Sequence, residues 1–245
     1  NRIYCAVSSA SLMRQAIVQV QHHVSHRSAF QRRLIDQPLM RNVIADMVLE
    51  SEAALNLSLR VARAVDNQNS NEDERSFARI STAISKYWIT KRAPYLVFEA
   101  LECHGGPGYI EESIMPRLYR EAPLNSIWEG SGNVMCLDVL RALQRDKNAL
   151  PSLFRELASA KGSNKNFDES FSHLKETLQD PIDLEIEARL LTEKMACLIQ
   201  ASIFIKSGEE EKISAFCNSR LGPRWSGAFG TLPTDTSFEY IMGGI

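Results

Sequence analysis

The sequence predicts an all-α protein: a helical bundle over residues 1–148, then a smaller helical extension over residues 149–245. Three observations carry this reading. Apolar residues recur at steps of three and four over long stretches, the spacing that lines one face of a helix. Apart from brief apolar runs there is no sustained alternation of period two, so no half-buried strand is expected. Glycine, proline and polar clusters fall mostly between the periodic stretches.

The first stripe covers residues 3–26 with Ile3, Val7, Ala10, Met13, Ile17, Val20 and Val24. A polar interruption from Ser25 to Gln37 follows, and Pro38 suits a helix start. A second stripe, 38–66, carries Leu39, Met40, Val43, Met47, Leu55, Leu59 and Ala62. Asn67 to Asp73 is a loop by composition. A third pattern runs from Glu74 to His104 through Phe77, Ile80, Ile84, Tyr87, Trp88 and Val97. Pro94 is expected to kink it, and Gly105-Gly106 to stop it. Residues 105–130 read as irregular, and Ser131 to Gln144 as helical again. Beyond residue 150, Pro151, Pro181 and Gly208 punctuate shorter helices. Segment 184–205 places Leu184, Ala188, Leu191, Met195, Leu198 and Ile205 on one seam, the mark of a buried helix. Residues 221–245 read as an irregular tail.

Composition excludes several classes. With 44% hydrophobic residues and 28 Lys+Arg against 30 Asp+Glu, the net charge is −2. That rules out a wholly disordered or collagen-like chain and argues against a generic basic coat for nucleic acid. Residues 1–100 hold 13 basic and 9 acidic side chains; residues 101–245 hold 15 and 21. The asymmetry reads as surface solvation. Five cysteines lie far apart with no CxxC spacing, which fits free thiols in a reducing, intracellular compartment. His22, His23 and His26 cluster without a cysteine or carboxylate to complete a metal site, so no metal is expected. No apolar stretch is long enough for a bilayer. The chain opens at full helical stride without an initiator Met, so it is expected to continue a longer chain. Cytoplasm and mitochondrion stay open, since a targeting segment would precede Asn1.

The segment from Gly105 to Asn133, GGPGYIEESIMPRLYREAPLNSIWEGSGN, is no linker. Tyr109, Ile110, Leu118, Tyr119, Ile127 and Trp128 give it apolar anchors of its own, and such long structured loops carry function. Gly105, Gly106 and Gly108 let a backbone approach something closely, a phosphate or simply a neighbouring turn. Glu129 lies between Trp128 and Gly130. A carboxylate held against an indole and an isoleucine loses solvation, which raises its pKa and suits a general base. Gly130 leaves room beside it. Equally, Glu129 suits the N-terminal dipole of the helix that begins near Ser131.

The stretch from Glu99 to Arg141, with REAPLNSIWEGSGNVMCLDVLRAL at its end, resembles the C-terminal signature of the acyl-CoA dehydrogenase family, in its AidB-like branch. HRSAFQRRLIDQPLMRNVIADM resembles that family's R-x-x-F element. The likeness covers residues 1–145 as the family's C-terminal helical bundle, and 150–245 more weakly as the extra region of the AidB-like branch. It implies FAD as cofactor, acyl-CoA as substrate, and a homo-oligomer, a dimer of dimers, that shares each FAD between subunits. An electron-transfer flavoprotein is a further implied partner.

Carried over by position, Arg27 faces the flavin pyrophosphate, where a guanidinium fork suits the group. Phe30 packs near the cofactor, with Leu34 and Gln37 on the next turns. Gly105 and Gly106 reach the FAD of a second subunit. Ser131 and Asn133 bind the cofactor, and Trp128 and Gly130 line the acyl channel. Glu129 is the base that removes the pro-R α-proton while the flavin N5 accepts the β-hydride. Glu102 stands where most members carry glutamine, a charge that opposes a pyrophosphate unless a cation or hydroxyl meets it. Trp128 replaces the usual tyrosine and narrows the channel. The branch also implies an alternative, a DNA-associated flavoprotein protecting against alkylation damage. Residues 151–245, with 10 basic and 14 acidic side chains, speak against DNA binding.

Overall fold

The computed structural model describes residues 1–179, 184–223 and 225–243. The protein is all-α. Helix α1 (Arg2–His26) leads into a two-stranded hairpin, β1 (Ser28–Ala29) and β2 (Arg32–Arg33), and a 3-10 turn. Two long helices follow, α2 (Pro38–Asn67) and α3 (Glu72–His104). Pro38 opens α2, where its missing N–H costs nothing. Asn71 caps α3: its side chain accepts from the Asp73 and Glu74 amides at 2.9 and 3.2 Å. Three acidic residues in the first turn favour that end. The helix runs through Pro94 and ends at Gly105, whose φ of +64° suits a residue without Cβ.

The segment expected to be irregular instead folds into three short helices, α4 (Gly106–Tyr109), α5 (Met115–Glu121) and α6 (Leu124–Ile127). They are held because Met115, Pro116 and Leu118 bury themselves against α3. Then come α7 (Gly132–Arg145), α8 (Ala149–Ala158) and α9 (Lys165–Gln179). They are followed by α10 (Ala188–Ser207), α11 (Glu210–Phe216), a π turn (Cys217–Leu221) and α12 (Phe238–Met242). Helix α12 corrects the expectation of a wholly irregular tail; Ile241 is buried and the helix packs on α2. Pro181 lies outside the described residues.

Helices α1 and α3 pair along their length, with α2 against both. They run in the same direction: Cys5 lies by Lys86, and the His23 ring meets the His104 ring at 4.8 Å, the same step along each helix. Helix α10 is buried almost all round, every residue from Met195 to Ser202, and touches α2, α3 and α7. One apolar core therefore continues from the first helix into the extension. All five cysteines are buried and free.

A buried ion cluster ties the extension to the bundle. Arg220 of the π turn reaches Asp46 at 2.5 Å and Glu50 at 3.1 Å, both on α2. Arg92 of α3 reaches Glu50 at 3.2 Å. Trp225 lies against both guanidinium groups, at 5.1 Å from Arg92 and 4.9 Å from Arg220. The Gly230 and Thr231 amides donate to the second Asp46 oxygen. Burial alone would raise the Glu50 pKa; the Arg92 and Arg220 charges and hydrogen bonds outweigh it and hold the carboxyl below its ordinary 4.5.

Arg220→Met leaves two buried carboxylates with one cation between them. It is expected to destabilise the full-length protein by about 3–5 kcal/mol in urea titration near neutral pH. Glu50, with its folded pKa lowered, stabilises the fold above pH 4.5 and loses that contribution as pH falls through the folded value. The stability gap between variant and parent should therefore shrink in acid.

Candidate functional site

The structure sorts the candidate residues into two groups at opposite ends of α1. That helix has 25 residues, so it is about 37 Å long at about 1.5 Å per residue.

The first group surrounds the turn from Trp128 to Asn133, at the N-terminal ends of α1 and α7. Glu129 and Gly130 both have positive φ, +58° and +111°. The Glu129 carboxylate is exposed and accepts from Asn1 Nδ2 at 3.2 Å. The expected apolar wrapping does not form: Ile127 and Trp128 are themselves 64% and 52% exposed. The indole Nε1 donates to Asn125 Oδ1 at 3.1 Å. The φ of +111° favours glycine at 130, and a Cβ there would sit 2.4 Å from Met135 Cε, the mobile end of a side chain that can shift. The expected room beside Gly130 is thus partly filled by Met135. Ser131 is the N-cap of α7, but its hydroxyl makes no cap bond and stays exposed. Asn133 accepts from Arg189 Nε of α10 at 2.8 Å.

Three residues here escape sequence reading. Lys86 of α3, 1% exposed, donates from Nζ to the Gly130 carbonyl at 2.5 Å. Arg2 donates from Nε to the Glu129 carbonyl at 3.3 Å and pairs with Asp138 at 2.6 Å. Asp138, buried in α7, also meets Arg79 and Arg141. Burial would raise its pKa, but Arg79 and Arg2 hold it below the ordinary carboxylate value. The one sequence signal was a lysine inside the apolar run of α3; its partner lies too far along the chain for periodicity to find.

The second group lies where α1 and α3 end. Arg27 is the exposed C-cap of α1 and makes no ion pair among the described residues. Phe30 and Gln31 form the hairpin turn with φ of +52° and +67°, and Phe30 is 92% exposed. Leu34 is half-buried on the 3-10 turn, and its amide donates to the Arg27 carbonyl at 2.9 Å. Gln37 Nε2 donates to the Ala29 carbonyl at 3.0 Å and so braces the hairpin. The His23–His104 contact brings Gly105 and Gly106 to this end. A Cβ on either glycine would meet nothing within 4 Å. Gly108 differs, since its Cβ would sit 2.4 Å from the Leu101 carbonyl. Glu102 is exposed and pairs with no cation among the described residues. Burial, then Glu102 and Asp46, pushes the nearby Glu99 carboxyl up.

The family model for the acyl-CoA dehydrogenase C-terminal domain matches residues 1–144. The chain belongs to the acyl-CoA dehydrogenase family. It is 39% identical over 223 residues to AidB of Escherichia coli strain K12, covering 91% of this chain and 41% of that protein. It is 30% identical over 184 residues to acyl-CoA dehydrogenase family member 11 of Caenorhabditis elegans, covering 74% and 30%. The CarC subunit of the caffeyl-CoA reductase–Etf complex of Acetobacterium woodii is 29% identical over 133 residues, covering 54% and 33%. Among solved structures, Caenorhabditis elegans ACDH-11 in complex with C11-CoA superposes with a TM-score of 0.81 at 25% identity, covering 94% of this chain and 44% of that one. The chain thus spans less than half the length of these relatives.

The two glycine environments predict opposite outcomes. Gly108→Ala forces a methyl onto backbone and should cost about 1–3 kcal/mol in thermal unfolding. Gly106→Ala faces open space and should stay within about 0.5 kcal/mol of the parent.

Proposed function

We propose that the full-length protein is an FAD-dependent acyl-CoA dehydrogenase, or an acyl-CoA-binding flavoprotein of that family, acting on fatty acyl-CoA thioesters by α,β-desaturation. The observation that carries this is the Trp128–Asn133 turn: an exposed carboxylate held on a left-handed backbone, followed at once by a free N-cap hydroxyl and the amide of Asn133. Relatives in the family are flavin oxidoreductases that bind FAD. The ACDH-11 structure carries an acyl-CoA.

The residues present fit the cofactor. At one end, an exposed guanidinium with no acidic partner among the described residues stands beside a bare aromatic ring and two glycines that face open space. A cation, a flat apolar surface and accessible backbone suit a pyrophosphate joined to ring systems. Arg27, Phe30, Gly105 and Gly106 would hold it there, with Leu34 and Gln37 supporting the hairpin. At the other end, Ser131 and Asn133 would hold it beside Glu129. Bound FAD supplies the two-electron acceptor for the β-hydride. Glu129 receives the α-proton on a carboxylate oxygen. Trp128 and Gly130 border the acyl chain. Glu102 lies beside the glycines with no cation paired to it among the described residues and lowers cofactor affinity.

One dinucleotide does not span the length of α1, so each chain contributes to two cofactor sites. This supports a homo-oligomer, with a second copy of the chain completing each site. The likeness to CarC supports an electron-transfer flavoprotein as redox partner. The chain divides at 148/149 into bundle and extension. Buried free thiols favour an intracellular setting. Among the described residues no helix is long and apolar enough to cross a membrane. The identity to AidB favours that branch and keeps a DNA-associated role as the second reading. The acidic excess of residues 151–245 opposes it.

The full-length protein should be yellow and should bleach when a fatty acyl-CoA is added without oxygen. Glu129→Gln should keep the flavin and abolish the bleaching. A colourless protein that takes up no FAD, or a bleaching variant, contradicts the proposal. Salt-sensitive retention on duplex DNA near physiological ionic strength would instead support the second reading.

A further inference from the structure

We propose that Lys86 is a positioning residue: together with Arg2 it clamps the left-handed Glu129–Gly130 turn and so fixes where the Glu129 carboxylate points. The proposal rests on the reading of Glu129 as the base.

The turn needs holding. A non-glycine residue at φ +58° is in the left-handed region, a conformation that costs about 1–2 kcal/mol and persists only where its surroundings over-determine it. Here two successive carbonyls are held from two helices. Arg2 of α1 bonds the Glu129 carbonyl, and Lys86 of α3 bonds the Gly130 carbonyl. Gly132 also lies close to α3: a Cβ there would sit 2.9 Å from Lys91 Cε and 3.4 Å from Tyr87. Met135 closes the side of Gly130. The carbonyls of 129 and 130 are thereby held from α1 and α3, while the Ser131 carbonyl starts α7 by accepting from the Met135 amide at 3.0 Å.

Packing does not account for a lysine at this place. Its side chain is among the largest fully buried ones, yet its ammonium has one acceptor, the Gly130 carbonyl, and no carboxylate pair among the described residues. A methionine would fill the same space without removing an amine from water. Burial pushes the Lys86 pKa down; Cys5 and Glu129 oppose this, while Arg2 and Lys91 add to it. Either protonation state leaves an N–H to donate, so the clamp works in both.

The test uses the full-length, flavin-loaded protein and two readouts. Lys86→Met should keep flavin and hold KM within about 2-fold while kcat falls at least about 10-fold, the mark of a misplaced group rather than lost binding. Independently of activity, amide hydrogen exchange in peptides covering residues 124–135 should accelerate. If the methionine variant does not fold, Lys86→Gln, which keeps a donor on a shorter stem, should show both effects in smaller measure. Unchanged kcat, or unchanged exchange in that segment, in a folded variant overturns the clamp. Glu129→Gln separates the two ideas: if it keeps turnover, the base assignment fails, and the exchange data still decide whether Lys86 holds the turn.

Discussion

Everything that bears on function follows from the pairing of α1 with α3. The two helices run side by side in one direction, so each group placed at one end is a helix length from any group placed at the other. Arg2 and Lys86 sit at the start of the pair and the Glu129 turn closes over them. Arg27, Phe30 and Gly105 sit at the finish. Apolar residues at steps of three and four build the seam, and burial at roughly 25 cal/mol per Å² makes it rigid. The separation of the two groups is thus a property of the core rather than of loops.

The extension shares the apolar core of the bundle. Helix α10 buries nearly every face, and the Asp46–Glu50–Arg92–Arg220 cluster ties the π turn to α2 and α3. Near the Glu129 turn, Arg189 of α10 meets Asn133. The extension therefore touches Asn133, one of the residues that the bundle presents.

Much of this was legible in residue spacing. The extents of the three long helices follow from residue spacing, and α3 stops at Gly105 as the glycine pair implies. The stripe read on α2 is not its buried face: Leu39, Leu55 and Leu59 are exposed, while Leu57, Val61 and Ala64 are buried. The short helices between Tyr109 and Ile127 were not legible, because each is held by contacts to α3 rather than by local periodicity. The motif WEGSGN located the turn, but not its environment. Sequence adjacency placed Trp128 against Glu129 in an apolar setting; the indole bonds Asn125, and both Trp128 and Glu129 are exposed. The glycines of 105–108 looked alike and are not, since only Gly108 lies against the end of α3, at Leu101 and His104. Lys86 was invisible because its meaning lies in a carbonyl 44 residues further on.

On the proposed function, one chain carries halves of two different sites. Hybrid oligomers test it most directly. Full-length chains with Arg27→Ala and with Glu129→Gln, each impaired alone, are co-expressed so that they assemble together, and acyl-CoA oxidation is measured. The hybrids are expected to regain activity, because one interface then joins an intact Glu129 end to an intact Arg27 end. Hybrids no more active than the two parents mixed after assembly would contradict it.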